Sequence, residues 1–157
     1  MAAVIRRARN GDELKVAEML LKLVKQHVGY DPARFSDFVT LHGAAEFYKS
    51  RFEAENAAVL VVEAKGNVVG FAYLEFARLD YENLLEKAAW LHDIYVNEEV
   101  RAEGLGRDLI EAVFSTARNL GAEKLLLSVA AKNSAAQEFF EKAGFRRTML
   151  EMTLNLK

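Results

Sequence analysis

The residues most able to do chemistry lie from Asn97 to Gly106, reading Asn-Glu-Glu-Val-Arg-Ala-Glu-Gly-Leu-Gly, between an apolar run (Trp90 to Val96) and an amphipathic helix. A glycine-containing turn at a helix N-terminus is an anion site. Amides without partners and the positive end of the helix dipole converge there, and glycine lets a phosphate come close to the backbone. The stretch therefore predicts a phosphorylated ligand. Two common phosphate motifs do not fit it. A P-loop has Lys followed by Ser or Thr after its last glycine, whereas Gly106 is followed by Arg107 and Asp108. A dinucleotide fingerprint has a third small residue where Leu109 stands and an acid at the end of the next strand, where this chain has Leu127, Ser128 and Val129.

The elements that must position this turn can be read from hydrophobic period. Val4 to Ala8 reads as a strand that stops at Asn10-Gly11. Leu14, Ala17, Leu20, Leu21, Val24 and Val28 then recur at helical spacing, with Asn10 and Glu13 as the expected N-cap pair. Between Gly29 and Asn56, which includes the single proline (Pro32), only Ala44 to Glu55 looks helical. Ala58 to Glu63 and Val68 to Phe76 flank Lys65-Gly66-Asn67 as an antiparallel hairpin, and Arg78 to Lys87 read as a polar connection. Trp90 to Val96 is a strand, Arg107 to Leu120 a helix stopped by Gly121, and Lys124 to Val129 a second strand, which makes a right-handed crossover with parallel strands. Ser134 to Gln137 has the form of a capping box for a short helix ending near Gly144, and Arg147 to Leu156 alternates as a final strand. The expected fold class is mixed α/β (α+β): a mixed central sheet of about 6–7 strands with helices on both faces.

Composition limits the function classes. The 157 residues are 52% apolar, enough for a core in a single domain over 1–157, and 21 basic against 23 acidic residues leave a net charge of -2 with no basic stripe for nucleic acid. There is no cysteine, and the three histidines (His27, His42, His92) lack metal-ligand spacing, so no metal is expected. The N-terminus has no apolar leader segment and no run approaches the length of a membrane span, so the protein reads as cytoplasmic.

At this point the chain resembles the GCN5-related N-acetyltransferases. In that family a strand ending in an aliphatic-aromatic-Val pattern runs into Arg/Gln-x-x-Gly-x-Gly/Ala. Ile94-Tyr95-Val96 and Arg101-Ala-Glu-Gly104-Leu-Gly106 match it in order and spacing. Asn133-Ser-Ala-Ala136-Gln-Glu-Phe139-Phe140-Glu-Lys-Ala-Gly144-Phe145 is similar to the family's Asn-x-x-Ala-x-x-Phe-Tyr-x-x-x-Gly-Phe block. Element order agrees along the whole chain, but the specific likeness runs from about Trp90 to Phe145.

The resemblance implies an enzyme that moves an acetyl group from acetyl-coenzyme A to a primary amine by direct attack, with no covalent enzyme intermediate. The backbone of Ile94, Tyr95 and Val96 would hold the acetyl carbonyl and pantetheine arm. The amides of Ala102, Glu103, Gly104, Leu105, Gly106 and Arg107 would hold the pyrophosphate, with Arg101 beside them. Asn133 would contact the pantetheine side, and Phe139 and Phe140 would lie beside the thioester. An attacking amine must shed a proton, and His92, where many relatives carry glutamate, suits a base because imidazole changes charge near neutral pH. Glu75 on the preceding strand is the second candidate. Phe140 departs from the family's tyrosine, a proposed general acid, and has no proton to give. Acceptor contacts would come from His27, Tyr30, Asp31, Tyr73, Asp80, Tyr81, Glu82 and Asp93, Asp93 pointing to the face opposite His92 if the strand is regular. Their carboxylates favour a cationic small molecule such as a polyamine or aminoglycoside. The alternatives are a protein or peptide N-acetyltransferase, or a catalytically weak coenzyme A-binding sensor. The last strand either completes the chain's own sheet or supports a homodimer.

Overall fold

The computed structural model describes residues 3–157 and is built on a five-stranded sheet whose strands stand side by side in chain order. These are β1 (Val4–Arg7), β2 (Ala57–Ala64), β3 (Asn67–Asp80), β4 (Leu85–Val96) and β5 (Lys124–Leu127). Four helices complete it: α1 (Glu13–Tyr30), α2 (Leu41–Arg51), α3 (Leu105–Leu120) and α4 (Ser134–Lys142). β1 to β4 pair antiparallel, whereas β4 and β5 are parallel and are joined by α3, as parallel neighbours require a crossover. Lys65 and Gly66 both take positive φ (53° and 78°), the backbone of a tight two-residue hairpin turn between β2 and β3.

The apolar run of β2 is continuous because both faces are covered. Ala58, Leu60 and Val62 meet Leu109, Ile110 and Val113 of α3 on one side, and Ala57, Val59 and Val61 meet Val16 and Met19 of α1 with Tyr48 and Phe52 of α2 on the other. Helices on both faces were the expectation. Arg6 ties β1 to the start of α1, donating to Asp12 at 2.7 Å and to Glu63 of β2 at 2.8 Å. Burial alone would push the Asp12 carboxyl up, but the Arg6 hydrogen bonds, the Arg9 amide and the nearby positive charge hold it below the usual carboxylate range.

Several expectations need correction. Asp12, not Asn10, stands at the head of α1, and Glu13 turns back to accept from the Gly11 amide at 2.7 Å. Asn133 rather than Ser134 caps α4, its Oδ1 accepting from the Ala136 amide at 3.1 Å, while Gln137 reaches the carbonyls of Ala130 and Ala131 instead of a cap. The supposed polar connection from Arg78 to Lys87 is the tip of a long hairpin between β3 and β4, closed by Asp80 accepting from Asn83. The final strand is not in the sheet: residues 146–157 run outside it, with Met149, Leu150, Met152, Leu154 and Leu156 exposed. This is why five strands stand where six or seven were expected. Among the described residues, no helix is long and apolar enough to cross a membrane.

Candidate active site

β5 pairs with β4 only along Ala88–Leu91, while β4 continues to Val96. From His92 onward the outer edge of β4 therefore has no strand partner among the described residues, which leaves the backbone of Ile94, Tyr95 and Val96 without a strand beside it on that edge. A short 3-10 turn, Glu98–Glu103, follows and ends at Gly104, whose φ of 79° swings the chain into α3. Only glycine takes that conformation without cost. No side chain caps α3, so the amides of Leu105, Gly106 and Arg107 are left for a ligand. A side chain at Gly104 would meet nothing within 4 Å, so the space before the turn is open; one at Gly106 would touch the Phe139 ring at 3.8 Å.

Arg101 is the clamp of this turn. Its Nε donates to the Val96 carbonyl at 2.7 Å, and its guanidinium sits 5.3 Å over the Tyr95 ring. Glu98 lies 3.9 Å from its Nη1, so its polar partners are on the strand and turn that feed the loop. Ala102, Glu103 and Arg107 are exposed around it, and Leu105 is buried beneath. Together these groups fit an elongated ligand, with a phosphate on the α3 amides and an amide-bearing arm along the β4 edge. On α4 Phe140 packs edge-on against Phe139 and Phe145 and is buried, while Asn133 spends its side-chain oxygen on the α4 cap. Among the described residues, no group of three His, Asp or Glu side chains converges on a metal position.

The acid–base groups are positioned by a bulge. Tyr73 of β3 stands opposite Asp93, but the next residue, Leu74, stands opposite Leu91, so His92 is the extra residue of β4. That irregularity corrects the expectation that Asp93 points away from His92. The His92 ring stacks on Tyr73, 5.4 Å between centroids and 27° between planes, and Asp93 accepts from the Tyr48 hydroxyl at 2.6 Å on the same side of the sheet. The Tyr73 hydroxyl in turn donates to Glu75, and Arg51 lies 3.7 Å from the same carboxylate. Burial, then the Glu75 hydrogen bond, pushes the Tyr73 phenol up to about 12. Burial also raises the Asp93 carboxyl, against the opposing pull of Tyr48, His92 and His27, and it raises the Tyr48 phenol.

Of the acceptor residues foreseen, the last turn of α1 groups three. His27 Nδ1 lies 2.8 Å from the Leu23 carbonyl, its ring meeting Tyr30 and Phe35 edge-on, and Asp31 ends the helix. Tyr73 and Asp93 lie in the cluster on β3 and β4. Asp80, Tyr81 and Glu82 do not join them. They sit at the hairpin tip, at the opposite end of β4, about 20 Å from His92 at about 3.3 Å per residue. Tyr48 and Arg51 were missed, although Ala44, Ala45, Tyr48 and Phe52 recur at helical spacing and mark the inward face of α2.

Comparison with known proteins identifies the family and the fold. Residues 22–145 match the model of the acetyltransferase (GNAT) family. The chain is 28% identical over 134 residues to the D-amino-acid N-acetyltransferase HPA3 of Saccharomyces cerevisiae, covering 85% of this chain and 81% of that one. It is 31% identical over 105 residues to the aminoglycoside N(6')-acetyltransferase type 1 of Stenotrophomonas maltophilia, covering 66% and 68%. Among solved structures, the BH1408 tetramutant from Bacillus halodurans superposes with a TM-score of 0.83 at 22% identity, over 98% of this chain and 99% of that one. The aminoglycoside N-acetyltransferase AAC(6')-Iy in complex with CoA superposes with a TM-score of 0.74 at 22% identity, over 98% and 94%. At that identity the two superpositions speak for the fold.

Proposed function

The chain belongs to the acetyltransferase (GNAT) family, an enzyme family that uses acetyl-coenzyme A, and from that premise we propose that it acetylates a primary amine carried by a small cationic molecule. The observation that carries the reading is the placement of Tyr73 and Glu75 of β3 with His92 and Asp93 of the bulged β4 on one side of the sheet, next to the stretch of β4 that β5 leaves unpaired. Acetyl-coenzyme A supplies an activated thioester carbonyl when bound. The α3 amides, with Arg101 nearby on the same turn, would hold its phosphates, and the backbone of Ile94 to Val96 would orient its arm.

An amine is mostly protonated near neutral pH, so attack requires a nearby proton acceptor. His92 takes that proton in this reading, directly or through water. Its exposed ring is oriented by the stack on Tyr73, whose hydroxyl is fixed by Glu75. Glu75 and Asp31 supply the negative charge that draws a cationic acceptor, and His27 and Tyr30 line its approach. The departing thiolate is a fair leaving group, so the absence of a hydroxyl at Phe140 slows the step without forbidding it.

Mass-detected transfer from acetyl-coenzyme A to a panel of polyamines, aminoglycosides, amino acids and short peptides tests this. An acetylated polyamine or aminoglycoside is the expected product. Acetylation of the peptides alone would replace the small-molecule acceptor with a protein one. Cofactor binding without any product would leave a coenzyme A-binding sensor.

A further inference from the structure

Asp93 puts a carboxylate against the aromatic cluster of Tyr48, Phe71 and Tyr73, and burial there pushes its carboxyl up. The Tyr48 hydroxyl, donating to Oδ2 at 2.6 Å, works against that push, followed by the charges of His92 and His27. Tyr48 has no room to turn away. It is 1% exposed, and its ring meets those of Phe47, Phe71 and Tyr73 edge-on at 5.3, 5.5 and 5.7 Å. Burial, then the Asp93 charge, pushes its phenol up, so it keeps its proton and stays a donor.

The bulge brings this pair to the site. Because His92 is the extra residue of β4, its imidazole and the Asp93 carboxylate fall on one side of the sheet, although neighbours on a regular strand face opposite ways. The other titratable or charged groups on that side are Tyr73 and Glu75 of β3, Arg51 of α2 and His27 of α1. Arg51 lies 3.7 Å from Glu75 and offsets its charge. Asp93 has a phenol for a partner instead of a cation, so its charge is left to act on the imidazole. A carboxylate held among aromatic rings costs folding free energy, and a task at the site accounts for keeping it.

We propose that Tyr48 and Asp93 are positioning residues for proton transfer, the phenol holding the Asp93 carboxylate charged beside His92 so that the imidazolium formed there has a counter-charge. This rests on His92 being the proton acceptor. An N–H bond of the ammonium breaks, its electron pair stays on the amine nitrogen for attack, and an N–H bond forms on the ring, which takes the positive charge. The Asp93 carboxylate lowers the cost of that charge and takes no proton itself. Asp93 therefore acts through His92 and is not a contact for the acceptor.

Histidine ring signals followed by NMR across pH test the pairing without any acceptor. The His92 signal is identified by its loss in His92→Gln, and His42, exposed on α2 beside Glu46, is the internal control. In Asp93→Asn the His92 titration midpoint is expected to fall by about one pH unit, the low end for loss of a neighbouring opposite charge. Tyr48→Phe, which keeps the ring packing, is expected to move it the same way, and the double variant to match Asp93→Asn. A midpoint that stays in place in either single variant, or a Tyr48→Phe shift that adds to that of Asp93→Asn, overturns the proposal.

Kinetics with whichever amine of the transfer panel is acetylated separates this from the reading beneath it. The acid limb of kcat is expected to vanish in His92→Gln and to move with the NMR midpoint in the other variants, with the acceptor KM within about twofold. A limb that survives in His92→Gln fells the base reading and this proposal together. A limb that vanishes there but does not move in Tyr48→Phe overturns this proposal alone, as does a KM that rises tenfold or more in Asp93→Asn.

Discussion

The imidazole of His92 lies on the ring of Tyr73, and the hydroxyl of that same tyrosine is bonded to Glu75. The two carboxylate and imidazole candidates for proton transfer are thus joined through one phenol. His92→Ala is expected to lower kcat by about 10²-fold, in the range of a lost general base, with coenzyme A affinity unchanged. Tyr73→Phe keeps the stack and cuts the bond to Glu75, so it is expected to cost less. Steady-state kinetics alongside calorimetric cofactor titration separates the two.

The two glycines of the turn are expected to respond in opposite ways. Gly104→Ala forces a side chain into the left-handed region and should lower stability by about 1–2 kcal/mol. Gly106 is in the first turn of α3 with ordinary contact room, so Gly106→Ala gains up to about 1 kcal/mol of helix propensity yet puts a methyl where a phosphate approaches. Thermal melts rising while cofactor affinity falls in Gly106→Ala is the expected pattern.

Asp93 gives stability a pH dependence of known sign. Its folded carboxyl is raised, chiefly by burial, so above the ordinary carboxylate value the folded chain holds a proton that the unfolded chain has lost. Stability is therefore full in acid and falls as pH rises through the raised value. Asp93→Asn, which still accepts from Tyr48, is expected to melt higher than the natural chain at neutral pH, the difference vanishing in acid. Melting curves across that range check it.

The Arg6–Asp12 pair runs the other way. The Asp12 carboxyl is lowered, so its contribution is present above the ordinary carboxylate range and is lost as pH falls below it. Asp12→Ala leaves Arg6 half-partnered between β1 and β2, and a loss of about 3 kcal/mol is expected in denaturant unfolding.

How much of this was legible in the sequence follows from which forces are local. The Gly104–Gly106 turn, the crossover and the β2–β3 hairpin are written in glycine spacing and hydrophobic period, and they stand as expected. The bulge at His92 is not, because a single extra residue in β4 leaves no mark unless the register with β3 is known. Asp80 to Glu82 were drawn to the wrong end of the molecule for a related reason. A polar run reads alike whether it is a connection over the site or the tip of a hairpin pointing away. Tyr48 lay in the stretch with the weakest period, and only its distant partner, Asp93, gives it a role. Residues 146–157 alternate as a strand should, but alternation names a face and not the edge that receives it.

The matching of strand order in the sheet to strand order in the chain bears on how the molecule is assembled in time. β2, β3 and β4 are neighbours through two hairpins, so their pairing closes short loops at small entropic cost, whereas β5 can dock only after the whole of α3 has been traversed. The part of the sheet that folds on local contacts is the part that carries His92 and its companions. The open edge of β4, which exists only where β5 stops short of it, is completed by a longer closure than either hairpin needs.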